Sequence, residues 1–510
     1  MRVVVVGAGA GGLAAAVRLA HAGHRVVVLE QGDAPGGKAG RLELRAGGAA
    51  FGFDTGPSLL TMPWVVRDLF AQTGPPAEEA GVELVRVEPV TRYRFADGSA
   101  FDMSAEVPRA VEALEAWSPG AGADWLAFLG ACGAMWRAAE RVLAGPPPWP
   151  PRRPRAGDPA PDPRDLLRVR PWLTLRGLAR ATCRDARLRL VVERFATYAG
   201  ADPRRAPAVL AVAGYVEHAF GAWHVRGGLH RIVAALAERL AALGGELRTG
   251  VRAVALERAG GRVTGVLTDR GDVRADAVVW DGDALALDAL LDRRRARPRE
   301  RSLSGLAVML ALRGRSAGLV HHELRFPPRY DDELDDVFTA RRPVRDPAVY
   351  VSTSCATDPS EAPADGENAF VLVNAPSGVA ADWEAEADRV VARLGVGERV
   401  LARRVRSPAD LERETGALGG AIYGDAPHGR LGTLRRPGPW VRGARNVLRA
   451  GGTAHPGGGL PLALLSGAFA ARELARASSW PSSRGRRPRD SAWPARAGRP
   501  RPRSPRPPAA

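Results

Sequence analysis

A glycine-rich motif within the first dozen residues carries the clearest chemical signal in this sequence. Gly7, Gly9 and Gly12 satisfy the pattern G-x-G-x-x-G, with Ala8 between the first two. The first glycine allows a tight turn, the second lets backbone amides approach a pyrophosphate, and the third lets a helix pack closely on a strand. The N-terminus of that helix would stabilise the bound anion. The motif therefore predicts a dinucleotide-binding loop.

An acidic residue follows at the spacing that such a loop needs. Glu30 lies 18 residues beyond Gly12, at the end of the second predicted strand. Its carboxylate could accept hydrogen bonds from ribose hydroxyls, whereas a 2′-phosphate would favour arginine there. Glycines at an ordinary turn are the alternative interpretation. The strand, helix and acid around the motif favour nucleotide binding.

The motif must be positioned by a strand, a helix and a second strand. Buried strands are predicted over 2–6 and 25–29, with an alanine-rich helix over 11–22 between them. Later segments with the same alternation are a helical pattern over 226–243, strands near 246–256, 262–268 and 275–280, and a last helix from about Pro461 to Arg476. Strands alternating with helices predict an α/β fold with a parallel sheet.

A second glycine pair follows the second strand. Gly36, Gly37 and Lys38 could wrap a pyrophosphate from the opposite side, with Lys38 beside the phosphates; a surface lysine after a turn is the alternative. At this place the sequence resembles the FAD-dependent amine oxidase superfamily, whose diglycine motif carries a basic residue. The resemblance implies a Rossmann-like FAD-binding domain of the GR2 type, with an inserted α+β substrate domain.

Farther along, the sequence resembles the carotenoid desaturases of the phytoene-desaturase type. The segments that carry this resemblance are 53–63, 195–203, 223–228, 321–322 and 450–461, and the likeness extends from Met1 to about Ala475. It implies further FAD contacts at Thr55, Gly56, Ala253, Gly452 and Leu460. Two departures stand out: Ala253 replaces a usual valine, and residues 281–283 read Asp-Gly-Asp where Asn-Ala-Asp is common.

The segment around His455 has a physical interpretation of its own. Glycines and prolines on both sides forbid a long regular element, and Pro461 suits the first turn of a helix. The free amides of that helix could stabilise the negative charge of a reduced flavin. His455 itself could donate a proton, support the loop or line a substrate channel.

No residue pattern identifies a conventional acid–base or metal site. No Ser-His-Asp order, paired-carboxylate motif or zinc spacing is found, so no metal is predicted. Glu217, within the apolar stretch 209–220, is the best single candidate for a buried acid, but the favoured interpretation is a surface-facing helix residue. The flavin that the resemblance implies would carry the redox step.

Composition limits the partners and the compartment. The 510 residues include 73 basic and 56 acidic side chains, a net charge of +17, and Lys38 is the only lysine. Without a nucleic-acid module this arginine excess predicts no nucleic-acid partner. Cys132, Cys183 and Cys355 are too far apart for a disulfide framework, which favours the cytoplasm. No apolar run is long enough to span a bilayer, so any membrane association would be peripheral.

Composition and resemblance together predict a discontinuous arrangement. The predicted units are an FAD-binding domain at 1–90, 226–300 and 415–477, a substrate and membrane-facing domain at 91–225 and 301–414, a proline-rich exposed loop at 146–163, and a disordered arginine- and proline-rich tail at 478–510. The tail carries nine arginines and one aspartate. The favoured interpretation is a solvated tail with no specific role, and attraction to an anionic membrane surface is the alternative.

The resemblance implies FAD-dependent desaturation of a membrane-dissolved carotenoid such as phytoene, neurosporene or a hydroxylated derivative. Quinone or oxygen would accept the electrons. The alternatives are a carotenoid isomerase or saturase, an amine oxidase, and a non-redox prenyl-lipid carrier. Many amine oxidases use a lysine near the reactive face of the flavin. Because the only lysine, Lys38, is already assigned to the phosphate motif, the sequence argues against an amine oxidase.

Overall fold

The computed structural model describes residues 1–147, 158–159, 162–291 and 299–478. The predicted tail beyond Ser478 and most of the predicted loop 146–163 lie outside the described residues. The described strands are β1 Arg2–Val6, β2 Arg25–Leu29, β3 Arg41–Ala46, β4 Ala49–Asp54, β5 Leu84–Arg86, β6 Thr91–Arg94, β7 Ala100–Met103, β8 Trp223–Val225, β9 Glu246–Arg248, β10 Ala253–Ala259, β11 Arg262–Thr268, β12 Val273–Arg274, β13 Ala277–Trp280, β14 Ser304–Arg313, β15 His322–Arg325, β16 Val349–Ser352, β17 Gly366–Ala375, β18 Val400–Arg406 and β19 Val447–Arg449. The described helices are α1 Ala10–His21, α2 Trp64–Ala71, α3 Val107–Trp117, α4 Ala121–Ala144, α5 Arg164–Arg168, α6 Leu175–Thr182, α7 Ala186–Glu193, α8 Val212–Phe220, α9 His230–Ala242, α10 Ala284–Leu290, α11 Tyr330–Asp335, α12 Trp383–Leu394, α13 Pro408–Thr415 and α14 Leu460–Ser478.

A five-stranded parallel sheet forms the centre of the first unit, in the order β19-β13-β1-β2-β9. Its central strands β13, β1 and β2 are short valine-rich runs, which is typical of strands that are buried on both faces. Val3 and Val5 of β1 face a core shared with α1, α9 and α14, whereas Val4 and Val6 face a core shared with β10, β11 and α10. The sheet is thus the middle layer of three, which confirms the predicted α/β class.

A seven-stranded sheet forms the second unit, in the order β18-β14-β17-β16-β15-β6-β7. All its neighbouring strands are antiparallel except β15 and β6. Helices α3, α4, α6 and α7 build a separate core beside it, around Trp125, Phe128 and Phe195. The strands of this sheet come from chain segments before and after β13. This interleaving supports the discontinuous division, whose limits we keep as proposed.

Two predicted elements differ from the structure because glycines interrupt them. The strand expected over 246–256 is two strands, β9 in the parallel sheet and β10 in an antiparallel sheet with β11. Gly250, at a φ of 65°, turns the chain between them. The helix expected from 226 begins at His230, since Gly227 and Gly228 have φ values of 77° and 98°. Among the described residues, no helix is long and apolar enough to cross a bilayer.

The backbones of helices α1 and α14 are in direct contact at Gly467. A β-carbon on Gly467 would lie 2.3 Å from the carbonyl oxygen of Gly11 and 2.8 Å from the amide nitrogen of Ala15. These atoms belong to helix backbone, which cannot move away as a side chain can. The close contact presses the start of α1 against α14.

We predict opposite effects for alanine at two helical glycines. Gly467→Ala should lower the free energy of unfolding by about 1 to 3 kcal/mol, because the methyl group overpacks the contact. Gly130→Ala, at an exposed position of helix α4 with open space around it, should raise it by about 1 kcal/mol through helix propensity. Urea unfolding of both variants measures the change in the free energy of unfolding. A change of the same sign and size in the two variants would contradict the packing argument.

Candidate dinucleotide site

Four segments meet at one edge of the parallel sheet. In the register of the sheet, Val6 lies opposite both Leu29 and Trp280, and Trp280 lies opposite Arg449. The residues that leave β1, β2, β13 and β19 are therefore neighbours: Gly7, Glu30, Asp281 and Ala450. Ligands of open α/β sheets bind at this carboxyl edge.

The glycine-rich loop turns from β1 into α1 with no room for side chains. Gly7 has a φ of 99°, and α1 begins directly after Gly9. A β-carbon on Gly12 would lie 2.2 Å from the carbonyl oxygen of Gly7, and one on Gly11 would lie 2.5 Å from the amide nitrogen of Gly451. The loop thus presents bare backbone amides at a helix N-terminus, which is the geometry of an anion cradle.

Glu30 holds this loop in place. Its Oε2 accepts a hydrogen bond from the amide of Ala8 at 2.8 Å, and its Oε1 accepts one from the amide of Gly32 at 2.8 Å. The side chain is buried. A carboxylate has about four acceptor positions, so two remain for other donors.

The second glycine pair lies against the first loop, as a shared pyrophosphate site requires. The amide of Gly36 donates to the carbonyl of Ala8 at 3.0 Å, and Gly37 approaches Gly9 with its backbone. The backbone of Gly56 packs directly against that of Lys38, since a β-carbon on Gly56 would lie 1.8 Å from the carbonyl oxygen of Lys38. The neighbouring Thr55 donates its amide to the carbonyl of Gly40. The structure thus brings the diglycine turn to the glycine-rich loop and the start of the segment 53–63 to the residues after that turn.

Lys38 reaches the segment that follows α13. Its Nζ donates to the backbone carbonyls of Ile422 at 2.6 Å and Ala421 at 3.3 Å. Burial lowers the pKa of its ammonium group to about 8, although the nearby carboxylates of Asp283 and Asp281 oppose this shift. In this structure the lysine therefore ties the diglycine turn to the segment that follows α13, beside the edge of the cradle.

The other predicted contacts are distributed around the same edge. Ala253 opens β10, and two residues before it the amide of Val251 donates to the carbonyl of Glu30. Gly452 follows β19, and Leu460 is a buried residue at the start of α14.

Asp281 is the residue of this site that the sequence interpretation missed. Its carboxylate lies over the glycine-rich loop: a β-carbon on Gly9 would be 2.6 Å from Oδ2, and one on Gly451 would be 2.3 Å from Oδ1. Loss of water and the charge of Glu30 raise the pKa of this carboxyl group to about 7, against the amides of Gly12 and Gly9. Its position directly after a predicted strand was the signal that could have found it.

His455, the first of the two predicted catalytic residues, is buried beside α4 and α14. Its Nε2 lies 3.2 Å from the carbonyl oxygen of Gly145, and its ring packs on Phe469. Burial lowers its pKa to about 4, so the ring is neutral at neutral pH.

Glu217, the second predicted catalytic residue, is buried on α8. The interpretation of Glu217 as a surface-facing helix residue is therefore wrong. It accepts a hydrogen bond from the Tyr198 hydroxyl at 3.2 Å and lies 3.8 Å from Arg194. Burial raises the pKa of its carboxyl group, and the charge of Arg194 opposes the shift.

One group of buried side chains has the composition of a metal site. His224, Asp358 and Glu361 place ligand atoms within 4.8 Å of one another. Both carboxylates are already engaged, Asp358 with the amide of Gly227 at 2.7 Å and Glu361 with Arg41 at 2.7 Å. We therefore propose no metal there.

Fold and site together define a dinucleotide-binding protein with a doubly wound parallel sheet. The profile of the family described as flavin containing amine oxidoreductase matches residues 10–311. A hydroxyneurosporene desaturase from Rhodobacter capsulatus is 36% identical over 508 positions, covering 92% of this chain and 97% of that protein. A phytoene dehydrogenase from Streptomyces griseus is 34% identical, covering 92% and 94%. The chain therefore belongs to the flavin containing amine oxidoreductases and, within them, to the carotenoid desaturases.

Solved structures agree on the fold. A putative protoporphyrinogen oxidase from Exiguobacterium superposes with a TM-score of 0.59 at 18% identity, over 93% of this chain and 98% of the other. Cyclohexylamine oxidase from Brevibacterium oxydans gives 0.57 at 16% identity, over 93% and 98%. The predictions of family, fold class, flavin cofactor and enzyme are confirmed.

The described residues fit FAD. The bare amides between Gly7 and Gly12 suit a diphosphate, and an anion, the Asp281 carboxylate, already lies against them. The remaining acceptor positions of Glu30 suit ribose hydroxyls.

We predict that Glu30→Gln weakens both the fold and FAD binding. The amide group of glutamine turns an N–H donor toward a backbone N–H, so one buried donor loses its acceptor, at a cost of about 1 to 3 kcal/mol. Glu246→Gln, an exposed change on β9, should alter stability by about 0.5 kcal/mol or less. Urea unfolding of flavin-free protein and FAD titration measure the two effects. Unchanged values for Glu30→Gln would refute the role of Glu30 as the support of the loop.

Proposed function

We propose that this protein is an FAD-dependent carotenoid desaturase that introduces double bonds into a membrane-dissolved polyene. The observation that carries the proposal is the 36% identity with a hydroxyneurosporene desaturase over 97% of its length. Relatives named phytoene dehydrogenase and zeta-carotene-forming phytoene desaturase, at 34% and 32% identity, support the same substrate class.

The residues of the site would divide the work of holding the cofactor. The cradle of Gly7, Gly9 and Gly12 would bind the diphosphate, and Glu30 would orient the ribose while it fixes the loop. We keep Gly37, Lys38, Thr55, Gly56, Ala253, Gly452 and Leu460 as proposed neighbours of the cofactor. When bound, FAD supplies the acceptor for a hydride removed from the substrate.

Glu217 is the proposed acceptor of the proton that desaturation also removes. Burial raises its pKa, which makes the carboxylate a stronger base, and Arg194 would stabilise it when charged. His455 has a hydrogen bond to Gly145 and a neutral ring, which support a role in holding the loop before α14.

We predict that the purified protein with FAD desaturates its substrate in vesicles with quinone and without nicotinamide. The full strand–glycine–helix–acid context occurs once in the sequence, and FAD would occupy it, so no second dinucleotide site is expected. Each cycle removes a hydride and a proton from the carotenoid, and two electrons and two protons convert quinone to quinol.

Phytoene, neurosporene and hydroxylated neurosporene are each incubated with quinone, oxygen or NAD, and the lengthening chromophore is followed by absorbance. Strict dependence on NAD would refute the mechanism. No change with any of the three, from protein that carries its flavin, would refute the substrate class. Glu217→Gln should keep the flavin and lose activity, and an unchanged rate would remove Glu217 as the proton acceptor.

The helical part of the second unit offers a surface suited to the membrane that holds such a substrate. Leu166, Leu167 and Trp172 are 60%, 66% and 56% exposed, although large apolar side chains are normally covered. Between Asp162 and Arg180, Arg168 is paired with both aspartates and Arg176 with Glu193 and Asp331, so the excess positive charge comes from Arg164, Arg170 and Arg180. Apolar side chains beside a cationic excess are typical of peripheral attachment to anionic lipid. We propose this patch as the contact with an anionic membrane, on the cytoplasmic side since the three cysteines are unpaired.

We predict that Leu166→Asp with Leu167→Asp lowers binding to vesicles of phosphatidylcholine and phosphatidylglycerol by about tenfold or more, because it replaces inserted side chains with anions. A matched control changes Leu401 and Leu431, which are 38% and 40% exposed elsewhere, to aspartate. Co-sedimentation of the full-length variants is the measurement. Equal binding by parent and patch variant would assign attachment to another part of the chain, such as the arginine-rich tail. A change in oligomeric state without loss of vesicle binding would identify the patch as a contact between copies.

A further inference from the structure

The anion cradle of this protein already contains an anion that belongs to the chain. Asp281 follows β13 directly, and its amide donates to the carbonyl of Val6 at 2.8 Å, so the parallel sheet fixes its backbone beside the glycine-rich loop. Its Oδ2 occupies the space that side chains on Gly9 and Gly12 would fill, at 2.6 and 2.8 Å from their β-carbons. The carboxylate thus lies where the diphosphate of a dinucleotide must come.

Two anions cannot share this space in their charged forms. A diphosphate next to a carboxylate adds like-charge repulsion where little water remains to screen it. The backbone amides that face Asp281 are those that a bound phosphate would use. Only a neutral carboxyl group removes the repulsion and can also donate an O–H to a phosphate oxygen.

We propose that the Asp281 carboxyl group takes up a proton when the diphosphate of FAD enters the cradle, so that cofactor loading is coupled to pH. The proposal rests on FAD binding at the site described above. It makes Asp281 a determinant of cofactor affinity rather than a group that acts on the carotenoid.

The charged groups around Asp281 set the direction of the coupling. Glu30, from the end of β2, favours the protonated form, whereas Lys38 and the amides of Gly9 and Gly12 favour the charged form. Asp283, two residues on, is paired with Arg301. The balance leaves the pKa of Asp281 at about 7 in the flavin-free protein. Bound diphosphate would raise it further.

FAD affinity should therefore be constant below about pH 7 and should fall by about tenfold for each pH unit above it, because one proton must be taken up for each FAD bound. The dissociation constant is measured by quenching of flavin fluorescence. Asp281→Asn has the same shape and cannot ionise, so its affinity should be independent of pH. At about pH 8 it should bind FAD roughly tenfold more tightly than the parent protein, and the difference should grow as the pH rises further. Asp276→Asn, at the opposite end of β13, should retain the parental pH dependence.

Lys38 is the competing explanation, since loss of its positive charge would also weaken FAD binding as the pH rises. Lys38→Arg keeps that charge throughout and should retain the parental pH dependence. A dependence that persists in Asp281→Asn and disappears in Lys38→Arg would overturn the proposal.

Proton uptake tests the coupling without relying on the folding of any variant. Calorimetric titration of the unaltered protein with FAD at about pH 8, in two buffers of different ionisation enthalpy, should show uptake of about one proton. ADP, which has the diphosphate but no flavin, should show the same uptake. Tight, pH-independent FAD binding without uptake would refute this inference alone, whereas failure to bind FAD at any pH would refute the proposed function.

Discussion

Close approach of backbone segments at the carboxyl edge of the parallel sheet is the constraint on which this structure depends. The loop from Gly7 to Gly12, the diglycine turn, Asp281 and Gly451 converge there without space for additional side chains. The contact of Gly467 with the backbone of α1 fixes the helix that follows this loop. Hydrogen bonds from Ala8 and Gly32 to the buried Glu30 hold it from the side. Bare amides at a fixed helix N-terminus make a strong anion site because they are oriented before any ligand arrives.

The same crowding concentrates charge in a place with little water. Glu30, Asp281, Asp283, Lys38 and Arg301 lie around one edge, and the charges of their neighbours shift the pKa values of Asp281 and Lys38. A pyrophosphate brings further negative charge into this group. Like-charge repulsion from a bound pyrophosphate would therefore favour the protonated form of Asp281.

The second unit has an apolar interior that contains a few polar groups held by hydrogen bonds. Arg194 donates to the hydroxyls of Tyr93 and Tyr198, and Tyr198 in turn donates to Glu217. Partners of this kind let charges exist inside a core of aromatic and aliphatic side chains. Polyene chemistry needs such an environment because water would compete for the reacting centre.

Much of the FAD-binding unit could be predicted from the sequence, because local patterns specify it: valine runs, the glycine spacing around Gly7 and an acid at the end of the next strand. The resemblance to carotenoid desaturases likewise rests on short continuous segments of the sequence, which can be recognised without knowing the fold. Tertiary structure alone decided that Glu217 is buried, that Lys38 reaches the carbonyls of Ala421 and Ile422, and that Asp281 enters the cradle. The physical reason is that these contacts join residues more than 200 positions apart or depend on which face of an element is covered, and the register and packing of whole sheets determine both.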